Sequence, residues 1–297
     1  MTAYRITHRT TYSYDEPVTD SLGIAHLVPR VLPWQQVGFS AVTTTPVGND
    51  VNQDLDYYGN AATYFQVREP HTRLEIEAVS EVEVQAPVVP EALLAVPWEQ
   101  ARPLVSPELN GAWAVADFAL ESSSVEQVEE AREYASASFW PGRPLGEAAT
   151  DLMHRIHADF EYDHTATTVT STVSEVISTR AGVCQDFAHL TLACLRSLGL
   201  AARYVSGYLS TLPAPGKERV VGADASHAWV AVWLPDLSGA TDGDWLAFDP
   251  TNDQWAGDRY ITVAWGRDYA DVPPVKGVIF TEAKKSVLEV SVDVAPV

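Results

Sequence analysis

Cysteine is scarce in this sequence, with only Cys184 and Cys194 among 297 residues. The two lie ten residues apart in one segment with a helical pattern, which separates them by about 15 Å along the helix axis. A disulfide requires Cα atoms within about 7 Å of each other, so the pair gives no sign of an oxidising compartment. The sequence also lacks a run of about 18 apolar residues and a basic-then-apolar leader. We therefore expect neither a membrane span nor a signal peptide, and we expect a cytoplasmic location.

Positive charge is also scarce, with 19 basic side chains against 40 acidic ones and a net charge of −21. A surface this negative repels phosphate backbones and anionic lipid headgroups, so we expect neither nucleic acid nor a membrane as a partner. The sequence contains no glycine-rich phosphate loop, no dinucleotide fingerprint and no EF-hand calcium loop. We therefore expect no cofactor and no metal. The excess of acid is interpreted as a source of solubility, and the oligomeric state stays open.

The first part of the chain has the pattern of short β-strands. Alternation of polar and apolar residues predicts strands at 3–13, 37–46, 51–57, 61–67 and 73–85. Tyr58-Gly59-Asn60 indicates a hairpin between two of them. Prolines then cluster between 87 and 107, which is typical of an irregular connection. We therefore predict an N-terminal β-rich domain at 1–86 and a proline-rich connection at 87–110.

The remainder, 111–297, has helical patterns first and strand patterns afterwards. Helices are predicted at 125–138, 145–160, 174–177 and 183–198. Strands are predicted at 202–210, 227–234, 245–249, 261–264, 275–280 and 287–294. This order is typical of an α+β domain in which helices pack on one face of an antiparallel sheet. The clearest helix is 183–198, whose apolar side includes Phe187, Leu190 and Cys194 and which ends at Gly199.

Cys184 stands at the start of this helix, in the segment RAGVCQD at 180–186. A helix N-terminus carries partial positive charge and unpaired backbone N–H groups. Both favour the thiolate over the thiol, and the N–H groups can bind the oxyanion of a tetrahedral intermediate. On its own, a cysteine in this position is more often a small core residue than a nucleophile. The assignment therefore depends on partners elsewhere in the chain.

Two later segments supply such partners. His227 enters a predicted strand in DASHAWV at 224–230, and Asp249 ends the next strand in WLAFDPTN at 245–252. Neighbouring antiparallel strands bring the two side chains next to each other. A cysteine nucleophile needs an imidazole to pair with it and a carboxylate to orient that imidazole. The sequence therefore predicts a catalytic triad of Cys184, His227 and Asp249.

Together these motifs resemble the core of the bacterial transglutaminase-like superfamily. The matching core residues are G-x-C-x-D-x-A-x-L at 182–190, SHAWV at 226–230 and FDPT at 248–251. Cysteine, histidine and aspartate follow in the order of that family, with spacings of 43 and 22 residues that suit it. YRITHRTTYSY at 4–14, LVPR at 27–30 and DYYGN at 56–60 resemble the β-rich domain that often precedes this core in bacterial members. The two resemblances cover most of the chain.

The resemblance implies a papain-like α+β fold, in which the nucleophile begins a helix packed on the sheet that carries the histidine and the aspartate. It implies that Cys184 is the nucleophile, His227 the general base and acid, and Asp249 the orienting carboxylate. Asp186 matches a family position that is interpreted as structural. The substrate is then a peptide or protein amide that acylates Cys184 as a thioester. Water as the acceptor gives an amidase or protease, which we favour for bacterial members, whereas an amine gives a transglutaminase or peptide ligase.

The second oxyanion donor and the walls of the cleft are less defined. The candidates are Tyr162, Gln185 and Trp229. Tyr162 is the side chain that we consider for the oxyanion, with a core aromatic as the alternative. Trp229 is interpreted equally well as a wall behind His227 or as a core residue.

Two other classes of function stay open. One is an inactive binding module that keeps the fold, although the intact cysteine, histidine and aspartate argue against it. The other is a zinc enzyme using Cys184 and nearby histidines, which the lack of metal-ligand spacing disfavours. His154, His157 and His164 are interpreted as surface side chains.

Overall fold

The computed structural model describes residues 1–168, 170–211 and 226–297. The first β-rich part contains β1 (Thr2–Ala25), β2 (Gln35–Thr45), β3 (Asp50–Leu55), β4 (Ala61–Val67) and β5 (His71–Val84). The middle contains α1 (Glu91–Leu94), α2 (Ala112–Val115), α3 (Glu129–Ser136), α4 (Leu145–Asp159), β6 (Glu161–Tyr162), α5 (Val173–Thr179), β7 (Ala181–Gly182) and α6 (Cys184–Ser197). The last part contains β8 (Ala202–Leu209), β9 (Ser226–Leu234), β10 (Asp244–Asp249), β11 (Gln254–Trp255), β12 (Tyr260–Gly266), β13 (Val275–Thr281) and β14 (Ser286–Pro296).

The first sheet is built around β1, the longest strand. Its strands lie in the order β2-β5-β1-β4-β3, and every pairing is antiparallel. Along β1, Tyr4, Ile6 and His8 are buried, whereas Arg5 and Arg9 point to solvent. Because side chains alternate between the faces of a strand, this period of two buries one face of the sheet. The predicted strands of this region are confirmed.

The last two strands belong to this first sheet. β13 pairs with β1 from Val18 to Ala25, and β14 pairs with β1 from Tyr4 to Tyr14. The sequence predicts both strands correctly but assigns them to the second sheet, which is wrong. Strand alternation depends on local burial, whereas the choice of partner strand depends on contacts across more than 250 residues, as between Thr281 and Val18. The division at 1–86, 87–110 and 111–297 stays a prediction.

The second sheet carries the predicted helix-on-sheet arrangement, so the α+β fold class is confirmed. Its antiparallel strands lie in the order β11-β10-β9-β8-β12, and α6 packs against β8 and β9. Helices α3, α4 and α5 contact the other side of α6. For this reason α6 is buried all round from Asp186 to Arg196, beyond the apolar side that the sequence predicts.

Both sheets share one hydrophobic core. It joins Leu152 of α4 and Leu190 of α6 to Ile6 and Val294 of the first sheet. Each fully buried side chain of this size contributes about 1.5–3 kcal/mol, so the two halves stabilise each other. None of the helices in the described ranges is long and apolar enough to cross a membrane.

Candidate active site

The start of α6 holds Cys184 in a fixed position. Asp186 is buried, and its Oδ2 accepts hydrogen bonds from the backbone N–H of Val183 at 2.8 Å and from the hydroxyl of Thr167 at 2.6 Å. A Cβ on Gly182 would lie 2.9 Å from Cβ and Oδ2 of Asp186, so only glycine fits there. Asp186 therefore fixes the turn from β7 into α6, and the Cys184 side chain at that turn is partly exposed.

The second sheet holds His227 and Asp249 next to each other. His227 lies near the beginning of β9, and Asp249 ends β10, which pairs antiparallel with β9. His227 Nε2 donates a hydrogen bond to Asp249 Oδ2 over 2.7 Å. Asp249 is 0% exposed. A buried carboxylate of this kind fixes the tautomer and the orientation of an imidazole.

Cys184 completes the arrangement because its side chain lies close enough to His227 to act on the pKa of the imidazole. Nε2 of His227 is engaged by Asp249, which leaves Nδ1 as the ring nitrogen for the sulfur. Burial by itself lowers the pKa of His227, but the hydrogen bonds to Asp249 and Cys184, and the charges of both groups, raise the pKa above its usual range. The three side chains predicted from the sequence are thus brought together.

Asp249 has further hydrogen-bond donors that the sequence reasoning missed. Tyr260 OH and Asn252 Nδ2 each donate to Oδ2 over 2.7 Å, and the backbone N–H of Thr251 donates to Oδ1 over 2.8 Å. Burial raises the pKa of Asp249, but the bonds from His227, Asn252 and Tyr260 outweigh it and hold the pKa below its usual value. Both oxygens of the Asp249 carboxylate therefore accept hydrogen bonds from protein donors.

One of these donors had a signal in the sequence and one had none. Asp249-Pro250-Thr251-Asn252 is an Asx-type turn, in which an aspartate accepts from the backbone two residues later. This turn brings Asn252 back to the carboxylate and to 3.3 Å from His227 Nε2. Tyr260 reaches Asp249 from β12, and its hydroxyl accepts a hydrogen bond from Gln254 Nε2 over 2.7 Å. No pattern around Tyr260 predicts this contact.

The remaining cleft candidates differ in their positions. Tyr162 is 57% exposed and pairs in β6 with Gly182 of β7; burial and then the charge of Cys184 raise the pKa of its hydroxyl. Trp229 is buried, and its ring lies nearly parallel to that of His227 with the centroids 6.1 Å apart. Trp229 thus packs beside His227 from within the core, and its role as a wall of the cleft stays a prediction. Gln185 is partly buried in the first turn of α6.

The other histidines have separate surroundings. His154 Nδ1 pairs with Asp253, and His157 Nδ1 lies 3.0 Å from the carbonyl oxygen of Thr251. His164 is exposed, and His189 is buried and accepts from the backbone N–H of Tyr269. Within 1–168, 170–211 and 226–297, no group of three or more histidine, cysteine or acidic side chains is arranged to hold a metal ion.

Known proteins share both halves of this architecture. Residues 4–83 match the family described as the bacterial transglutaminase-like N-terminal region, and residues 133–250 match the transglutaminase-like superfamily. The chain belongs to this superfamily.

Its relatives cover nearly the whole length. The uncharacterized protein Rv2569c of Mycobacterium tuberculosis is 48% identical over 99% of this chain and 92% of its own length. The uncharacterized protein ML0607 of Mycobacterium leprae is 32% identical over 94% and 93%, respectively. A crystal structure from Cytophaga hutchinsonii, provisionally assigned as a cysteine protease, aligns with a TM-score of 0.73 over 99% of this chain and 97% of that one. At 19% identity, that likeness supports the fold.

Proposed function

We propose that this chain is a cysteine-dependent acyl-transfer enzyme that hydrolyses peptide or carboxamide bonds through a thioester on Cys184. The observation that carries the proposal is the contact of Cys184 with His227, whose Nε2 lies 2.7 Å from a buried Asp249. A nucleophile, a base and an orienting group in this geometry are what covalent catalysis by cysteine requires. The raised pKa of His227 supports an imidazolium beside the sulfur.

In the first half of the reaction, the Cys184 thiolate attacks the amide carbonyl carbon, and the carbonyl oxygen becomes an oxyanion. The backbone N–H of Cys184 and the positive end of α6 stabilise that oxyanion. His227 then gives its proton to the leaving nitrogen, the C–N bond breaks and the amine or ammonia departs. The acyl group remains on the sulfur as a thioester.

In the second half, neutral His227 removes a proton from a water molecule. The resulting hydroxide attacks the thioester carbon, and the same donors stabilise the second oxyanion. The C–S bond breaks, which releases a carboxylic acid and restores the thiolate beside the imidazolium. Asp249 keeps the imidazole in one orientation through both halves.

A second side chain is proposed at the oxyanion. Tyr162 is supported by its partial exposure and by the influence of the Cys184 charge on its hydroxyl, and Gln185 by its place in the first turn of α6. Tyr162→Phe and Gln185→Ala separate the two, because the true donor lowers kcat by about tenfold or more when removed.

The acceptor is tested by product analysis. Wild-type protein is incubated with glutamine-containing peptides, and mass spectrometry follows ammonia release, backbone cleavage and incorporation of a labelled primary amine. Hydrolysis predicts the first or second product without the third. Incorporation of the labelled amine would identify an amine, and not water, as the acyl acceptor. The chain would then be a transglutaminase or a peptide ligase.

The control for every product is the cysteine itself. Cys184→Ala is expected to abolish each signal, whereas Cys194→Ala retains it. Folded wild-type protein that forms no product from a broad peptide set and does not react with iodoacetamide at Cys184 would favour the inactive binding module. The cytoplasmic location and the exclusion of nucleic acid and membrane partners stay predictions.

A further inference from the structure

A buried arginine lies on the face of the second sheet that points away from α6 and that also carries His227 and Asp249. Arg203 of β8 is 7% exposed, and its guanidinium carbon lies 4.1 Å from the ring centre of Trp245 and 3.7 Å from that of Trp265. Two indole faces attract a cation but offer it no hydrogen-bond acceptor. Nε of Arg203 has no hydrogen-bond partner in the part of the chain that the structure describes.

The charge of Arg203 is poorly compensated. Burial and then the nearby charge of Arg30 lower the pKa of Arg203 well below its usual value, and Asp244 offsets this only in part. Arg30 also stacks on Trp265, at 3.5 Å, and its own buried Nε has no partner among the described residues. Because arginine keeps its proton in proteins, two guanidinium groups share this region as cations. A buried cation whose charge is only partly balanced is unfavourable.

Arg203 lines a small cavity of about 20 Å³, which is room for one particle of about the size of a water molecule. Trp34, Trp229, Trp245, Trp265 and Tyr260 line it as well. Among its lining residues within the described ranges there is no carboxylate. The cavity thus combines a guanidinium whose buried Nε has no partner among the described residues, aromatic walls and the volume of a single small ion.

We propose that this cavity is a binding site for one small monovalent anion of chloride or bromide size, held by the guanidinium of Arg203. The N–H groups of a guanidinium lie in its plane and donate along its edge, which suits a compact spherical anion. A phosphate or a free amino acid exceeds the volume of the cavity. Binding would neutralise the charge without adding a carboxylate to the core.

The site touches the groups that support His227. Trp229 packs against the His227 ring, and Tyr260, 5.2 Å from Trp229 between ring centres, donates to Asp249. Bound anion would therefore hold the two residues behind the histidine and aspartate in place. Anion binding stands independently of the proposed hydrolysis, and only an effect on turnover depends on both.

The direct test is a crystal structure of the full chain grown in sodium bromide, with data collected at the bromine absorption edge. We expect an anomalous peak within hydrogen-bonding distance of the Arg203 guanidinium. Peaks at surface residues alone would indicate an adventitious ion only and would overturn the proposal. A water molecule at Arg203, in crystals that contain ordered bromide elsewhere, would overturn it as well.

The solution test measures Tm in sodium bromide and in sodium gluconate at equal sodium concentration, which keeps the screening of the acidic surface constant. We expect bromide to raise Tm by about 2–4 °C at a concentration of roughly ten times its dissociation constant. Arg203→Gln should abolish this difference. Arg196→Gln is the matched control, because Arg196 is also buried but its donors are bonded to the carbonyl oxygens of Ala202 and Arg267.

The readout is the difference between the two salts and not the absolute Tm, so a loss of stability in either variant leaves it interpretable. A bromide effect of equal size in wild-type and Arg203→Gln protein would contradict the site. If Arg203→Gln does not fold, the anomalous peak in the wild-type protein decides. A failure of hydrolysis with bromide bound at Arg203 would reject the proposed function and leave the anion site intact.

Discussion

A cysteine and a histidine meet at the start of α6, where Cys184 faces His227 of β9, and another cysteine and histidine, Cys194 and His189, lie further along the helix in different surroundings. At its start, Cys184 is partly exposed and contacts His227, and the bonds of His227 to Asp249 and Cys184 raise its pKa. Further along the same helix, Cys194 is 0% exposed, and burial raises the pKa of its thiol to about 12. His189, five residues before Cys194, is also buried, and burial lowers its pKa to about 4.

The difference shows what decides the protonation state of a histidine that packs in or against this helix. Desolvation acts on His189 and His227 alike and favours the neutral ring in both. Only His227 has a carboxylate hydrogen-bonded to its ring, and this interaction reverses the effect of burial. A reactive thiolate therefore needs the sheet partners as well as the helix start, and Cys194 with neither is expected to stay a thiol.

Replacing each of the two cysteines by alanine in turn tests this contrast, and the loss of Cys184 has the largest expected effect. Cys184→Ala should lower kcat/KM by at least about 10³-fold, because the nucleophile is lost. Cys194→Ala should change kcat/KM by less than about threefold and lower the free energy of unfolding by about 1 kcal/mol, since it removes one buried sulfur. Turnover of a cleavable peptide and urea unfolding measure the two effects. Similar kinetic losses in both variants would contradict the assigned nucleophile.

Two aspartates that are 0% exposed, Asp249 and Asp268, give the next effect. Asp249→Asn should lower kcat by about 10²- to 10⁴-fold, because the amide neither orients His227 nor stabilises its charge. Asp268→Asn is the matched control: Asp268 is 0% exposed and accepts from the backbone N–H groups of Ser124 and Ala270. It should lower stability and leave kcat within about threefold. Equal losses of kcat would show that any buried aspartate acts through stability alone.

Most of this site can be predicted from the sequence because the motifs that indicate it are short and local. Three short motifs around Cys184, His227 and Asp249 each combine a reactive residue with the beginning or end of an element. The helix that starts at Cys184 could be predicted from its apolar period, and the turn after Asp249 from its Asp-Pro-Thr-Asn order.

The rest depends on contacts between distant segments. Tyr260 reaches Asp249 because β12 adds to the sheet beside β8, and a strand pattern does not name its neighbour. For the same reason the strand patterns of β13 and β14 do not reveal that both strands pair with β1. Arginine is usually exposed, so the sequence does not predict that Arg203 is buried. Its burial follows from the rings of Trp245 and Trp265, which pack against it in the folded chain.

A smaller effect on kcat is expected when the hydroxyl of Tyr260 is removed, and Tyr208 on the paired strand β8 provides a control. Tyr260→Phe removes one donor from the Asp249 carboxylate and should lower kcat by about 5- to 30-fold, equivalent to about 1–2 kcal/mol. Tyr208→Phe is the matched control, because its hydroxyl bonds to His8 Nδ1 at 3.0 Å. It should lower stability by about 1 kcal/mol without a comparable loss of kcat. Steady-state kinetics and urea unfolding separate the two, and an unchanged kcat in Tyr260→Phe would remove this donor from the supporting network.

The two histidines also predict opposite dependences of stability on pH, although the effect is the smallest of the four. The pKa of His227 is raised in the folded state, so its contribution is fully present below the unfolded value of about 6.5 and is lost as the pH rises through the folded pKa. The pKa of His189 is lowered to about 4, so the unfolded chain binds more protons between about pH 4 and 6.5. Its contribution to stability therefore grows as the pH rises through that window.

Urea unfolding of wild-type, His227→Gln and His189→Gln proteins at several pH values tests this reversal. Measurements begin near pH 5.5, because the sequence pI of about 4.6 brings the net charge close to zero and promotes association at lower pH. The difference in unfolding free energy between wild type and His227→Gln should narrow from pH 6.5 upwards, whereas the difference between wild type and His189→Gln should widen between pH 5.5 and 7. If the two free-energy differences change with pH in the same direction, burial dominates the pKa of both rings. Asp249 would then not stabilise an imidazolium beside Cys184.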